Sequence, residues 1–487
     1  MKKYLPILSA IPLAITGCAS QTPKQPNIMF ILCDDAGYAD FGFNGSTDLK
    51  TPNIDKLASE GTILTDAHTS ASVSGPSRAG IMTGRYQQRF GFEGNPPANG
   101  SVDLKEITIA SALKEAGYQT SGFGKWHLGS DVAHRPNNRG FNYYYGFLSG
   151  GRGYFMNKEN DVEGNNHSIR ENDHFVTFKG YLTDVLANKA VAYIKNRDRN
   201  KPFFMYWGPN AVHTPMQAKQ SDLDLFKGHK RQTLAAMTYA LDRGVGDIVK
   251  ALKDEKIYDN TLFFFLSDNG GSPENTSSCY PLKGFKGNKF EGGIRVPYFV
   301  VWKGHVLKGQ KFSGLSSSLD IYATSLAAAM TPLKEEGKDI SNLTKIANKL
   351  DGVNLIPYLS GKKTGNPHSA LFWRKEEEAA ARIGNMKLIR VKNLGERLYN
   401  LKTDLGETKD LTKLNKKDLE NLNNQLDKWE SNMIKPLWSE GEKWLDVTWN
   451  IHKDLFFNKK VRATSPSKLK NYYKNHPNEK DSYKISK

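Results

Sequence analysis

Asn27-Ile28-Met29-Phe30-Ile31-Leu32-Cys33, running straight into Asp34-Asp35-Ala36-Gly37-Tyr38, is the stretch on which the architecture turns. A strand with one wet face would alternate apolar and polar residues. An apolar run without that alternation is what a strand covered on both faces requires, as in a parallel sheet. Working outward, helical patterns alternate with further apolar strands. Ile109 to Ala116 reads as a helix with Gly117 after it, followed by a strand over Tyr118 to Phe123 and another over Phe203 to Trp207. A helix around Leu234 to Leu252 precedes strands at Thr261 to Ser267 and Pro297 to Trp302. This alternation predicts an α/β fold, a large mostly parallel central sheet flanked by helices. Beyond about Pro367 the texture changes. Ala370 to Trp373, Ala380 to Gly384, Lys387 to Val391 and Arg397 to Leu401 are short runs between turn signals, and a polar helix spans Lys417 to Trp429. That pattern predicts a smaller C-terminal antiparallel sheet plus helix.

A chain of 487 residues can bury a large core, and 38% hydrophobic with 11% aromatic residues excludes a disordered or membrane-spanning chain. The net charge of +17 favours an acidic partner (nucleic acid, anionic membrane or polyanionic substrate), or serves solubility alone. Part of the surplus lies in residues 458–487, with nine Lys/Arg against two acids, which reads as a solvated or poorly ordered end. At the other end, Lys2 and Lys3 precede a short apolar stretch from Leu5 to Ile15, and Ile15-Thr16-Gly17-Cys18 resembles a bacterial lipobox. The run is too short to span a bilayer and has the flanks of a signal peptide. The expectation is an exported lipoprotein acylated at Cys18, in the periplasm or at the outer-membrane surface. A plain secretory peptide with a chance cysteine is the alternative. Cys33 and Cys279 remain, and Cys33 reads as a buried small hydrophobe, so the core rather than a disulfide framework must hold the fold.

Chemistry-bearing residues gather in a few short segments. In Ser74-Gly75-Pro76-Ser77-Arg78, continuing to Met82-Thr83-Gly84-Arg85, Pro76 suits the first turn of a helix. Ser74 then stands at the helix's positive end, where an anion is favoured, with Arg78 one turn on. Asp34-Asp35 closes the opening strand at the sheet edge where α/β proteins bind ligands. Adjacent acids repel unless a cation joins them, and their oxygens suit calcium or magnesium. Ser267-Asp268-Asn269-Gly270-Gly271 ends a second strand in the same manner. In Gly124-Lys125-Trp126-His127-Leu128-Gly129 a lysine and a histidine two apart can point to one side of an extended turn. His213 follows the Phe203 strand, and Lys286 lies in Leu282-Lys283-Gly284-Phe285-Lys286-Gly287. Alone, each admits a plainer reading: a capped helix, an Asp-rich turn, a surface loop, a core-edge histidine, a solvated lysine.

Together these segments closely resemble the formylglycine-dependent sulfatases of the alkaline-phosphatase-like superfamily. The likeness covers roughly residues 27–410, including Arg139-Gly140-Phe141, Tyr145-Gly146-Phe147, Leu350-Asp351-Gly352-Val353 and Leu398-Tyr399-Asn400-Leu401. It implies that Ser74 is oxidised before export to formylglycine (3-oxoalanine), whose hydrate supplies the attacking oxygen and a route for expelling sulfate. It implies one calcium ion held by Asp34, Asp35, Asp268, Asn269 and residue 74. It also implies roles for Arg78 (holding the hydrate), Lys125 (sulfate oxygens), His127 (the hydrate's proton), His213 (acid for the leaving oxygen) and Lys286 (bridging oxygen). Serine rather than cysteine at 74 implies a serine-accepting, radical-type maturing enzyme as partner. The resulting layout is a signal peptide over 1–17, a tether over 18–26, a catalytic domain over 27–366, an α+β subdomain over 367–457 and a basic tail over 458–487. The expected substrate is a sulfated oligo- or polysaccharide, an algal glycan such as ulvan or carrageenan or a glycosaminoglycan, and not nucleic acid. Specificity is expected from loops at His134 to Asn138, Gly150 to Tyr154 with Arg152 contacting substrate, and His167 to His174. A structural salt bridge is the other reading of Arg152. A phosphatase of the superfamily and a lipoprotein that binds sulfated glycans without turnover are the rival functions.

Overall fold

A computed structural model describes residues 24–481. Among these, ten strands form one sheet. Its order is Gln310–Phe312, Thr62–Leu64, Tyr298–Val301, Thr261–Ser267, Asn27–Cys33, Phe203–Gly208, Gln119–Lys125, Tyr143–Phe147, Arg170–Glu171, His174–Phe175. Neighbours from Thr261–Ser267 to Tyr143–Phe147 are parallel, as expected. Tyr298–Val301 runs antiparallel to Thr261–Ser267, so the sheet is mixed.

The opening strand shows why an unbroken apolar run was needed. Met29, Ile31 and Cys33 pack with Met205, Trp207, Phe263 and Phe265 on one face. Ile28, Phe30 and Leu32 pack with Phe204, Tyr206, Phe264 and Leu266 on the other. Each such side chain contributes roughly 1.5–3 kcal/mol when fully buried. Helices Leu182–Asn196 and Gln232–Asp254 cover the first face, and Ile109–Glu115 and Asp320–Glu335 the second.

A separate antiparallel sheet holds Ala370–Lys375, Glu378–Ile383, Met386–Val391 and Gly395–Asn400. Helix Lys416–Glu430 buries Leu422, Leu426 and Trp429 against Ala379, Ala381, Leu388 and Leu398. A second helix, Glu442–Phe456, covers the opposite face with Val447, Ile451 and Leu455 beside Trp373 and Ile389. The sequence expectation names one helix for this subdomain, and the structure has this second one. The basic tail is largely exposed over its described residues, yet part of it is ordered as a helix. Pro466–Asn475 is a helix capped by Ser465, with Leu469 buried, and it is tied down by Lys468 on Glu274 at 2.6 Å. Leu469 is the apolar anchor of a helix whose other side chains stay exposed or half-buried. The signal peptide, Cys18 and most of the tether lie outside the described residues. Among the described residues no helix is long and apolar enough to cross a membrane.

Buried charge links the small sheet to the large one. Lys387 Nζ lies 2.8 Å from both Glu291 Oε1 and Glu407 Oε1, all three side chains being fully buried. Glu291 Oε2 is 2.9 Å from His68 Nε2, and Arg295 pairs with Asp66 at 3.2 Å. The acids around His68 are thus matched by Arg295 and Lys387, which marks an ion-pair network rather than a metal centre.

Candidate active site

Four parallel strands end at one edge and feed the same depression. Asn27–Cys33 delivers Asp34 and Asp35, and Thr261–Ser267 delivers Asp268 and Asn269. Gln119–Lys125 ends on Lys125 with His127 just beyond, and Phe203–Gly208 leads to His213. Gly124 has φ +106°, and a Cβ there would stand 2.1 Å from the Gly208 carbonyl oxygen. A bare α-carbon at that point lets two site-bearing strands meet. Helix Ser74–Thr83 brings in the remaining groups. Its N-cap, Val73, is extended, Ser74 is its first residue, and the whole helix is buried.

Ser74 Oγ donates to Asp268 Oδ2 at 2.6 Å and accepts from Arg78 Nε at 3.0 Å. Arg78 Nη2 lies 2.9 Å from the same Asp268 oxygen. Lys125 Nζ holds Asp34 Oδ2 at 2.7 Å, and Lys286 Nζ holds Asp35 Oδ2 at 2.8 Å. Three carboxylates therefore face three cations around one serine. His213 Nδ1 lies 2.6 Å from the Thr214 carbonyl oxygen, which can only accept, so Nδ1 carries the proton. Its Nε2 faces Asp35 Oδ2 at 3.7 Å. Asp35 and His127 adopt φ of +61° and +64°, the left-handed region that side chains other than glycine rarely enter.

The electrostatics follow from burial and crowding. Burial, with Lys125, Arg78 and Lys286 close by, pushes the His127 imidazole well below its ordinary value, favouring the neutral ring. Burial lowers Lys125 as well, with Asp34 opposing. Burial also works against charge on Lys286, but Asp35, Asp34 and Asp268 together hold the ammonium above its usual range. Burial and the neighbouring Asp268 raise Asp34. Burial likewise opposes charge on Asp268, yet Arg78 and Lys125 hold its carboxyl low.

The cradle suits a hard cation. Asp34 Oδ1 and Asn269 Oδ1 are buried with no hydrogen-bond partner among the described residues. Buried oxygens left unpaired are costly unless something fills their coordination. Asp34, Asp35 and His213 also offer ligand atoms within 4.8 Å of one another. Carboxylates with an amide oxygen are the donors calcium and magnesium prefer.

Sequence reading gives no role to Tyr206 or Asn95, and it places Gly150 and Gly151 in a specificity loop without their packing on the site histidines. Tyr206 Oη accepts from Arg78 Nη1 at 2.5 Å and donates to the Lys125 carbonyl at 2.8 Å. Asn95 Oδ1 accepts from Gly75 N at 3.1 Å. A Cβ at Gly150 would lie 2.6 Å from His127 Nε2, and one at Gly151 3.2 Å from His213 Cε1. None belongs to a chemistry-bearing motif, and only the packing reveals them. Arg152 requires correction. It is buried rather than at the rim, paired with Asp161 at 2.9 and 3.0 Å and donating to the His167 carbonyl. Its Nε donates to the Gly153 carbonyl at 3.0 Å, so the buried guanidinium braces the loop between residues 152 and 167. His167 does the same work, its Nδ1 lying 2.6 Å from Gly151 O. His134 gives its carbonyl to Trp126 Nε1 at 2.9 Å.

A serine at a helix's positive end, enclosed by arginine, lysines and imidazoles beside an oxygen cradle, defines a hydrolase acting on esters of a tetrahedral oxyanion. The chain belongs to the sulfatase family: the family profile described as Sulfatase matches residues 26–331. It is therefore a sulfuric ester hydrolase, and the phosphatase reading falls away. N-acetylgalactosamine-6-sulfatase of Homo sapiens is 32% identical over 76% of this chain and 72% of its own length. The uncharacterized sulfatase YdeN of Escherichia coli (strain K12) is 32% identical over 72% of this chain and 69% of its own. Among solved structures, Ps i-CgsB in complex with k-i-k-neocarrahexaose superposes with a TM-score of 0.78 at 38% identity, covering 90% of this chain and 100% of that one.

Proposed function

We propose that this protein removes sulfate from a sulfated carbohydrate, a carrageenan-type or glycosaminoglycan-type oligo- or polysaccharide, using formylglycine at position 74 and one calcium ion. The observation that carries the reading is Ser74 Oγ held between Arg78 Nε at 3.0 Å and Asp268 Oδ2 at 2.6 Å, at a helix's positive end. The carbohydrate part is supported by the relatives, one named for N-acetylgalactosamine and one solved with neocarrahexaose.

When present, the hydrated aldehyde supplies an oxygen nucleophile and a path for sulfate release that plain serine lacks. Asp34, Asp35, Asp268 and Asn269 would hold the calcium ion, which adds positive charge against the sulfate oxygens. The chain's own residues do the rest. Arg78 orients the oxygen at residue 74, while Lys125 and Lys286 oppose the charge on the sulfate oxygens as the ester bond breaks. Neutral His127 accepts a proton from the attacking group. In its imidazolium form His213 keeps Nδ1–H on the Thr214 carbonyl and gives the Nε2 proton to the leaving alcohol oxygen, ending as the neutral ring; that oxygen needs a proton because a sugar alkoxide is a poor leaving group. The lipobox motif supports acylation at Cys18 with export to the periplasm or outer-membrane surface, and serine at 74 supports a radical-type maturing enzyme.

Peptide mass spectrometry on protein co-produced with such an enzyme tests the proposal, alongside sulfate release from carrageenan and chondroitin oligosaccharides. The expected result is a loss of about 2 Da at residue 74 together with sulfate release. Unmodified Ser74, with binding of the glycan but no release, would turn the reading to a glycan-binding lipoprotein.

A further inference from the structure

A cavity of about 640 Å³ opens from Asp35, His213 and Lys286. That is ample for a bound oligosaccharide end and far more than a sulfate group needs, since small-ligand sites run to roughly 300–1,000 Å³. Its far wall is helix Glu442–Phe456, where Trp444, Thr448 and Ile451 line it at helical spacing of four and three. Thr448 and Ile451 are buried, whereas Trp444, at the outer end of this stripe, is 44% exposed.

The wall is rigidly referenced to the nucleophile. Gly75 N donates to Asn95 Oδ1 at 3.1 Å, and Asn95 N donates to Glu440 Oε1 at 2.9 Å. Glu440 is held by Lys375 at 2.6 Å, and Trp444 N donates to the Gly441 carbonyl at 3.0 Å. A continuous path thus runs from the residue after Ser74 to the first turn of the Trp444 helix. This helix also lies beyond residues 26–331, the part shared with the family profile. The matched part carries every residue of the sulfate site named above, and the wall stands outside it.

We propose that Trp444 is a specificity-determining platform, on which the sugar next to the sulfated one lays the C–H face of its ring. A pyranose presents several C–H bonds on one face. Their positive edge meets the negative face of an indole, and two rigid rings lose little entropy on stacking. The proposal rests on the carbohydrate-sulfatase reading and deepens it by naming what recognises the glycan beyond its sulfate.

The test compares wild type with Trp444→Ala and Trp444→Phe, using a carrageenan hexasaccharide and 4-nitrophenyl sulfate. Trp444→Ala should lower the ratio of kcat/KM on hexasaccharide to that on the aryl sulfate about tenfold, with the loss in KM and Trp444→Phe recovering most of it. An unchanged ratio, or equal losses on both substrates, overturns the platform. Calorimetry of the hexasaccharide on Ser74→Ala protein, with and without Trp444→Ala, reads the same contact without turnover. Equal affinities there overturn the platform even if wild type releases no sulfate, and that failure of release would count against the proposed activity instead.

Discussion

Tyr206 joins Arg78 to the backbone of Lys125, accepting from the guanidinium at 2.5 Å and donating to the Lys125 carbonyl at 2.8 Å. One phenol thereby sets two cationic residues of the site at once, and it is buried, so each bond it makes has no water to replace it. Tyr206→Phe keeps the ring and removes the hydroxyl. Leaving a buried donor unpaired costs about 1–3 kcal/mol, here spent on the placement of Arg78. The expected outcome is a fall in kcat of about tenfold or more with KM little changed, read by steady-state kinetics on matured protein.

Gly150 tests the packing over His127. An added methyl would stand 2.6 Å from Nε2, and the imidazole must swing away. Gly150→Ala should lower kcat by about a hundredfold or more if His127 takes a proton in the reaction, since general acid–base groups contribute roughly 10²–10⁴-fold. Gly151→Ala, whose Cβ meets His213 Cε1 at 3.2 Å, should cost less. Unaltered kcat in Gly150→Ala would remove His127 from the chemistry.

Arg152 and Asp161 form a pair whose side chains are 0% and 1% exposed. Removing one partner strands a buried charge, so Arg152→Ala should lose about 3–5 kcal/mol of unfolding free energy in urea, without any substrate present. Arg152→Met combined with Asp161→Leu should recover much of it. A variant of normal stability with only a raised KM would restore the sugar-contact role.

Glu407 carries the clearest pH signature. Burial pushes its carboxyl up from 4.5 to about 7, with Lys387 opposing and Glu291 adding. The folded state therefore holds this proton more tightly than the unfolded chain. The resulting stabilisation is full below 4.5 and lost as pH rises through about 7. Wild type should gain stability relative to Glu407→Gln as pH falls from 8 to 5, measured as the difference in Tm between them. A difference that does not move with pH would place the proton elsewhere.

If calcium is the ion of the proposed site, it should raise the Tm of the folded chain in proportion to the logarithm of its concentration above Kd, because it would bind the assembled cradle and not the unfolded chain. Asp34→Asn should weaken that response, and a wild-type Tm indifferent to calcium would exclude the ion.

Much of this protein is legible in its sequence because the signals are local. Asn27–Cys33 and Thr261–Ser267 read as doubly buried strands from their own apolar runs. Ser74 with Arg78, Lys125 with His127, and Asp268 with Asn269 lie within a few residues of one another, so their spacing survives without any knowledge of the fold. Even helix Glu442–Phe456 had a signal, Val447, Ile451 and Leu455 recurring every four residues, that went unread amid polar neighbours. What the tertiary structure alone decided is which distant residues meet. Tyr206 reaches Arg78 across 128 residues, and Asn95 reaches Glu440 across 345. Arg152 could bind a sugar or brace a loop, and only its burial against Asp161 chose between them. Local sequence specifies backbone form and nearby chemistry through sterics and short-range patterning. The identity of a partner far along the chain is set by how whole layers pack, and no residue carries that information by itself.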